Sequence, residues 1–146
     1  MSVDSPNLTG ECLCGAVTVR MVAPSHPAVS ACHCSMCRRW TGGPFMTVEG
    51  HAAPEIEGEE HVTVYPSSEW AERGFCGVCG THLFYRLREG TFYALSAGLF
   101  RESEAWPFEL QGFIDEKPGN YAFATPTREM TGEEVFKAWS PDPPPQ

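Results

Sequence analysis

The chain is poor in positive charge. Its 146 residues carry 10 Lys and Arg against 19 Asp and Glu, a formal net charge of −9. Binding a polyanion needs a basic surface, so nucleic acid is excluded as the main partner, and anionic membrane surfaces with it. Long apolar runs are missing too. None reaches the roughly 18 residues of a membrane-spanning helix, and Met1 to Thr9 lacks the basic and apolar regions of a signal peptide. A cytoplasmic protein is expected. Room for long helices is also short, because 13 prolines and 14 glycines are scattered through the chain.

What remains reads as one β-rich domain over residues 10–139, with a polar, mobile segment at 1–9 and a frayed, proline-rich tail at 140–146. A chain this long can bury a real core without metal. Ala16 to Met21 alternates, with Val17, Val19 and Met21 on one face. His82 to Arg88 alternates as well, and Phe45–Val48, Val62–Tyr65, Phe92–Leu95 and Phe108–Ile114 are further strand candidates. One helix is well signalled: Thr131 and Glu134 form a capping box, and Val135, Phe136 and Trp139 follow at helical spacing. A short helical turn is expected after Cys34, around Ser35 to Arg39. The fold class is mainly β with one or two short helices.

Seven cysteines stand out, an odd number that a complete disulfide framework cannot use. Structural disulfides are rare in a reducing compartment, so metal ligation is the better reading. The cysteines form three groups: Cys12 and Cys14; Cys32, Cys34 and Cys37; Cys76 and Cys79. In extended chain, residues two apart face the same way, so a C-x-C pair presents both sulfurs to one ion. A C-x-x-C pair does so from a tight turn, and Gly15, Gly77 and Gly80 suit such knuckles.

Zinc prefers four thiolate or imidazole ligands. Cys12, Cys14, Cys76 and Cys79 complete one structural site, stapling segments about sixty residues apart. Cys32, Cys34 and Cys37 remain. Three thiolates with a free fourth position are the arrangement of a catalytic zinc. Two zinc ions per chain are therefore expected. The alternatives are a triplet closed by His82 or a carboxylate, regulatory disulfides, and iron in place of zinc. His33, between two ligands, should point away from the metal.

These motifs resemble the glutathione-dependent formaldehyde-activating enzyme family, also called S-(hydroxymethyl)glutathione synthase-like or centromere protein V-like. The matching stretches are Gly10-Glu-Cys-Leu-Cys-Gly-Ala-Val17, Cys32-His-Cys-Ser-Met-Cys-Arg38 with Thr41-Gly42, and Phe75-Cys-Gly-Val-Cys-Gly80. The resemblance implies an Mss4-like fold of several small antiparallel sheets, stapled by zinc. It implies a structural zinc on Cys12, Cys14, Cys76 and Cys79, and a second near the active site on Cys32, Cys34 and Cys37. It also implies carbon–sulfur lyase chemistry on a small thiol and aldehyde, glutathione and formaldehyde. One departure is visible: where relatives often carry a histidine and a short apolar run before Lys-Pro, this chain reads Gln111-Gly112-Phe113-Ile114-Asp115-Glu116-Lys117-Pro118, with Asn120 before Tyr121.

Other residues gain candidate roles from that setting. Arg38, after the triplet, is expected to neutralise the three-cysteine centre or hold a substrate carboxylate, with Arg39 beside it. His33 is a candidate proton relay. Trp40, Phe45, Phe84 and Phe100 are candidates for pocket lining, set against the ordinary fate of aromatics as core. The competing function class is a non-catalytic zinc-binding module that docks another protein.

Overall fold

A computed structural model describes residues 7–90 and 92–139. The expected mobile residues 1–6 and proline-rich 140–146 lie outside the described residues, as does the side chain of Trp139. Residues 7–9, expected as mobile, instead begin a strand.

That strand, β1 (Asn7–Glu11), buries Leu8 and Gly10 and pairs antiparallel with β2 (Thr18–Val22). Val19 and Met21 sit opposite Gly10 and Leu8, so the alternation seen in the sequence marks the inner face. β5 (Glu55–Glu57) adds to the far edge of β2 and completes a three-stranded sheet.

The second sheet is larger and mixed. It contains β3 (Val29–Cys32), β4 (Phe45–Gly50), β6 (Val62–Tyr65), β7 (Ala71–Cys76), β8 (His82–Leu87), β9 (Tyr93–Ser96), β10 (Phe108–Gly112) and β11 (Arg128–Met130). Their spatial order is β11-β10-β3-β4-β9-β8-β7-β6. The family resemblance implied small antiparallel sheets; here one sheet has eight strands, and β10 runs parallel to both β3 and β11. Parallel pairing needs a crossover, and residues 113–127 supply one between β10 and β11.

Val17, Val19, Val48, Leu83, Phe84, Leu95 and Phe100 form a core shared by the two sheets. The opposite face of the large sheet is not packed solid. Period-two geometry lines up Glu49 on β4, Ala94 on β9, Tyr85 on β8 and Arg73 on β7 as direct cross-strand neighbours. This row forms part of a cleft floor.

Two α-helices complete the structure. α1 (Ser35–Thr41) starts at Cys34, whose Sγ accepts the Cys37 N–H at 3.3 Å, and ends at Gly42 in the left-handed conformation. α2 (Gly132–Trp139) carries the predicted capping box: Thr131 N–H donates to Glu134 Oε1 at 2.9 Å, and Glu134 N–H to Thr131 Oγ1 at 3.2 Å. No helix among the described residues is long and apolar enough to cross a membrane.

Candidate metal centres and the adjoining cleft

Cys12 and Cys14 sit in the turn between β1 and β2; Cys76 and Cys79 sit at the turn between β7 and β8. Each turn closes by a backbone hydrogen bond from the glycine after its second cysteine to the carbonyl of its first. Gly15 N–H donates to Cys12 O at 3.0 Å and Gly80 N–H to Cys76 O at 2.7 Å, and both glycines have φ near +80°. A side chain is strained there, which is why glycine follows each pair. Gly77 differs from expectation: it is needed for space, since a Cβ would meet Thr63 Oγ1 at 2.8 Å.

The four sulfurs gather within 4.8 Å of one another. Cys12 Sγ and Cys14 Sγ are 3.6 Å apart, and Cys14 Sγ and Cys76 Sγ 3.8 Å. A tetrahedral zinc with Zn–S bonds of about 2.3 Å has sulfur–sulfur edges of about 3.8 Å, so the donor set fits that ion. Val17 N–H donates to Cys12 Sγ at 3.3 Å, and Thr81 holds Cys79 down to about 5 through its hydroxyl and backbone N–H. The cluster ties the small sheet to the large one.

Cys32, Cys34 and Cys37 form the second group, again within 4.8 Å, and among the described residues no fourth His, Cys, Asp or Glu joins it. Cys32 ends β3, Cys34 caps α1, and Cys37 lies one turn on and is buried. Packed so closely, the sulfurs compete for protons. Hydrogen bonds from Cys32 and Cys37 lower Cys34 to about 2, whereas donation to Cys34 and Cys37, together with burial, raises the Cys32 thiol far above its usual range. A bound cation resolves that competition by taking all three as thiolates, so these residues too fit a zinc ion.

His82, an alternative fourth ligand, is instead stacked on Trp40 with centroids 4.2 Å apart. His33 is fully buried and points away, as its place between two ligands predicts. Its Nε2–H donates to Gln111 Oε1 at 2.8 Å, and its Nδ1 accepts from the Tyr121 hydroxyl at 2.7 Å. Gln111 Nε2 in turn donates to Thr127 Oγ1 at 2.9 Å. Both ring nitrogens are occupied by hydrogen bonds within the fold, and the ring lies outside the cleft lining. The departures at Gln111 and Tyr121 are thereby explained: both residues hold His33.

Arg38, expected to neutralise the three-cysteine centre or hold a substrate carboxylate, sits apart from the cleft. Its Nε–H donates to the His33 carbonyl at 2.9 Å, while Arg39 is exposed. The guanidinium at the sulfurs belongs to Arg73. It is buried, its Nη1–H donates to Cys37 Sγ at 3.4 Å, and its Nε–H donates to Ser67 Oγ at 3.3 Å. Trp40 and Tyr85 hold it by their ring faces, each 5.1 Å from Cζ.

All three sulfurs border a cavity of about 490 Å³. The large sheet supplies its floor through Ser30, Cys32, Phe45, Thr47, Ala94 and Leu110. Val135 and Phe136 of α2, with Trp70 and Phe113, form the other wall. Of the four aromatics expected to line a pocket, Phe45 does so. Phe84 and Phe100 lie in the core, and Trp40 packs on Phe45 and Arg73.

Fold and site together define a β-sheet domain with two thiolate clusters, one of them open to a cleft. Residues 7–116 match the model of the glutathione-dependent formaldehyde-activating enzyme family, and the chain belongs to that family. A Schizosaccharomyces pombe protein named an uncharacterised lyase is 39% identical over 134 residues, covering 91% of this chain and 97% of its own length. A putative glutathione-dependent formaldehyde-activating enzyme of Halomonas elongata is 32% identical over 85 residues, 53% of this chain and 54% of that one. A Rhodobacter sphaeroides crystal structure shares the fold with a TM-score of 0.56 at 22% identity, covering 69% of this chain and 99% of that one.

Proposed function

We propose that this protein is a carbon–sulfur lyase-type enzyme that reversibly adds a glutathione-like thiol to a small, formaldehyde-like aldehyde. Cys32, Cys34 and Cys37 would hold the catalytic zinc, and Cys12, Cys14, Cys76 and Cys79 a structural one. The observation that carries this reading is the three-sulfur cluster opening onto a cleft, with no fourth protein ligand among the described residues. Family membership and the names of the relatives support the reaction class.

A zinc ion bound by the triplet would supply Lewis acidity and lower the pKa of a thiol brought to it. The chain's own groups do the rest. Arg73 sets a positive charge against the sulfurs and fixes Cys37. Phe45, Trp70, Phe113 and Phe136 wall the cleft with apolar surface, which keeps water from competing for the aldehyde. Walls on both sides hold the reactants together, so proximity contributes. In the addition, a sulfur–carbon bond forms and the carbonyl π pair becomes a hydroxyl that takes the thiol proton. No oxidant or reductant is consumed.

The test is the rate at which glutathione and formaldehyde reach equilibrium, followed by exchange NMR. Catalytic amounts of the protein should accelerate it, and a Cys37→Ala variant should fold yet lose the acceleration. Full turnover by that variant would refute the role given to the triplet. No acceleration by the native protein, with both thiolate sites loaded, would favour the interaction-module reading.

A further inference from the structure

The cleft is far larger than its smallest candidate substrate. Formaldehyde has one carbon, whereas about 490 Å³ is the size of site that encloses a drug-sized molecule. Its lining is mostly apolar: Phe45, Leu110, Trp70, Phe113, Val135 and Met130 all face it. The space is built into the sheet. On the floor row, Ala94 stands between Glu49 and Tyr85, where a larger side chain would fill the middle of the cleft.

Charge is confined to the two ends. Arg73 lies at the sulfur end and is engaged with Cys37. Glu49, His51 and Arg128 line the other end, and burial raises the Glu49 carboxyl above its usual range. Glu116, the remaining carboxylate of the lining, accepts the Ser35 N–H at 3.0 Å. A tripeptide such as glutathione carries two carboxylates and an ammonium, and between its ends this cleft offers hydroxyls such as Ser30 and Thr47 but no opposite charge to pair them. Burying such charges unpaired costs several kcal/mol each. An alkyl or aryl group there gains roughly 25 cal/mol per Å² of apolar surface removed from water.

We infer that the cleft between the large sheet and α2 binds the apolar body of the aldehyde, so that the preferred substrates are medium-chain alkyl or aryl aldehydes rather than formaldehyde. This rests on the lyase reading for its chemistry and replaces the small, formaldehyde-like aldehyde of that reading with a larger, apolar one. The reacting carbonyl sits at the Cys32, Cys34 and Cys37 end, and the body extends over Ala94 towards Arg128. The step is the same balanced addition: the S–H bond and the carbonyl π bond break, the sulfur–carbon bond forms, and the π pair moves to oxygen, which takes the thiol proton.

Two measurements separate this inference from the reading beneath it. Isothermal titration with 3-phenylpropanol, an unreactive stand-in for the aldehyde, tests the cleft directly. It should bind at one site, and Ala94→Leu should weaken binding by about tenfold. Turnover with glutathione and either formaldehyde or hexanal tests preference: kcat/KM should favour hexanal by at least about tenfold, and Ala94→Leu should lose that preference. Absence of alcohol binding, or formaldehyde turnover equal to or better than hexanal, overturns the inference and leaves the lyase reading intact. Alcohol binding that Ala94→Leu weakens, without turnover of either aldehyde, sinks the lyase reading and keeps the apolar binding site. Should Ala94→Leu fail to fold, alcohol binding and the hexanal-to-formaldehyde ratio of the native chain still decide.

Discussion

Arg73 Nη1 lies 3.4 Å from Cys37 Sγ, three cross-strand steps along the row from Glu49. Arg73 is only 4% exposed, and among the described residues it has no carboxylate partner within salt-bridge distance. Its counter-charge is the sulfur cluster itself.

Removing that guanidinium should weaken the open site. A hydrogen bond to a charged group contributes about 1.5–3 kcal/mol, equivalent to about ten- to hundredfold in affinity. Cobalt titration of apo-protein, read by its thiolate-to-metal absorption, should show that loss in Arg73→Gln at the triplet alone. Arg73→Lys should recover part of it. Unchanged cobalt affinity in Arg73→Gln would show that the pairing is incidental.

The two sulfur clusters should differ in what they stabilise. Cys76 is fully buried and its cluster joins the two sheets, so Cys76→Ser should lower Tm sharply. A structural zinc contributes on the order of 10 kcal/mol in small peptides, less here because the shared core holds some of the fold. Cys37→Ser should leave the chain folded. Calorimetry of the two variants and of chelator-treated protein checks this order.

His33 is structural in this account. Tyr121→Phe removes the donor to its Nδ1 and leaves a buried acceptor unsatisfied, a cost of about 1–3 kcal/mol. Denaturant unfolding should show that loss, while kcat per folded molecule stays unchanged. A large fall in kcat with unchanged stability would restore the relay role to His33.

The capping box of α2 should be acid-sensitive. The Thr131 backbone N–H and hydroxyl lower the Glu134 pKa below its ordinary 4.5. The unfolded chain therefore takes up the proton first, so this stabilisation is present above about 4.5 and is lost as pH falls through the lower, folded value. Hydrogen-exchange protection at Val135, whose N–H donates to Thr131 O at 2.9 Å, should drop across that window in the native chain but not in Glu134→Gln.

Much of this was legible in the sequence because it is local. Cysteine spacing depends on a few bonds of chain, and the capping box of Thr131 and Glu134 spans one turn. The alternation over Val17, Val19 and Met21 marks one face of a strand. What escaped is set by register between distant strands. Arg73 follows Glu72 in a strand and reads as an outward charge; only the pairing of β7 with β8, and of β8 with β9, brings it under Trp40 and beside Cys37. Arg38 is nearer in sequence, but α1 turns its side chain to the His33 carbonyl. Phe84 could not be told from Phe45 by composition, since the face of the sheet each takes decides between core and cleft, and Phe100 reaches the core from the turn after β9.

The central claim is that the chain holds two metal ions, one on four sulfurs and one on three. Elemental analysis of protein purified without chelator or added metal tests it most directly. The account predicts two zinc ions per native chain and one per Cys37→Ala chain. A single zinc in both, unchanged after reconstitution with excess zinc, would contradict it.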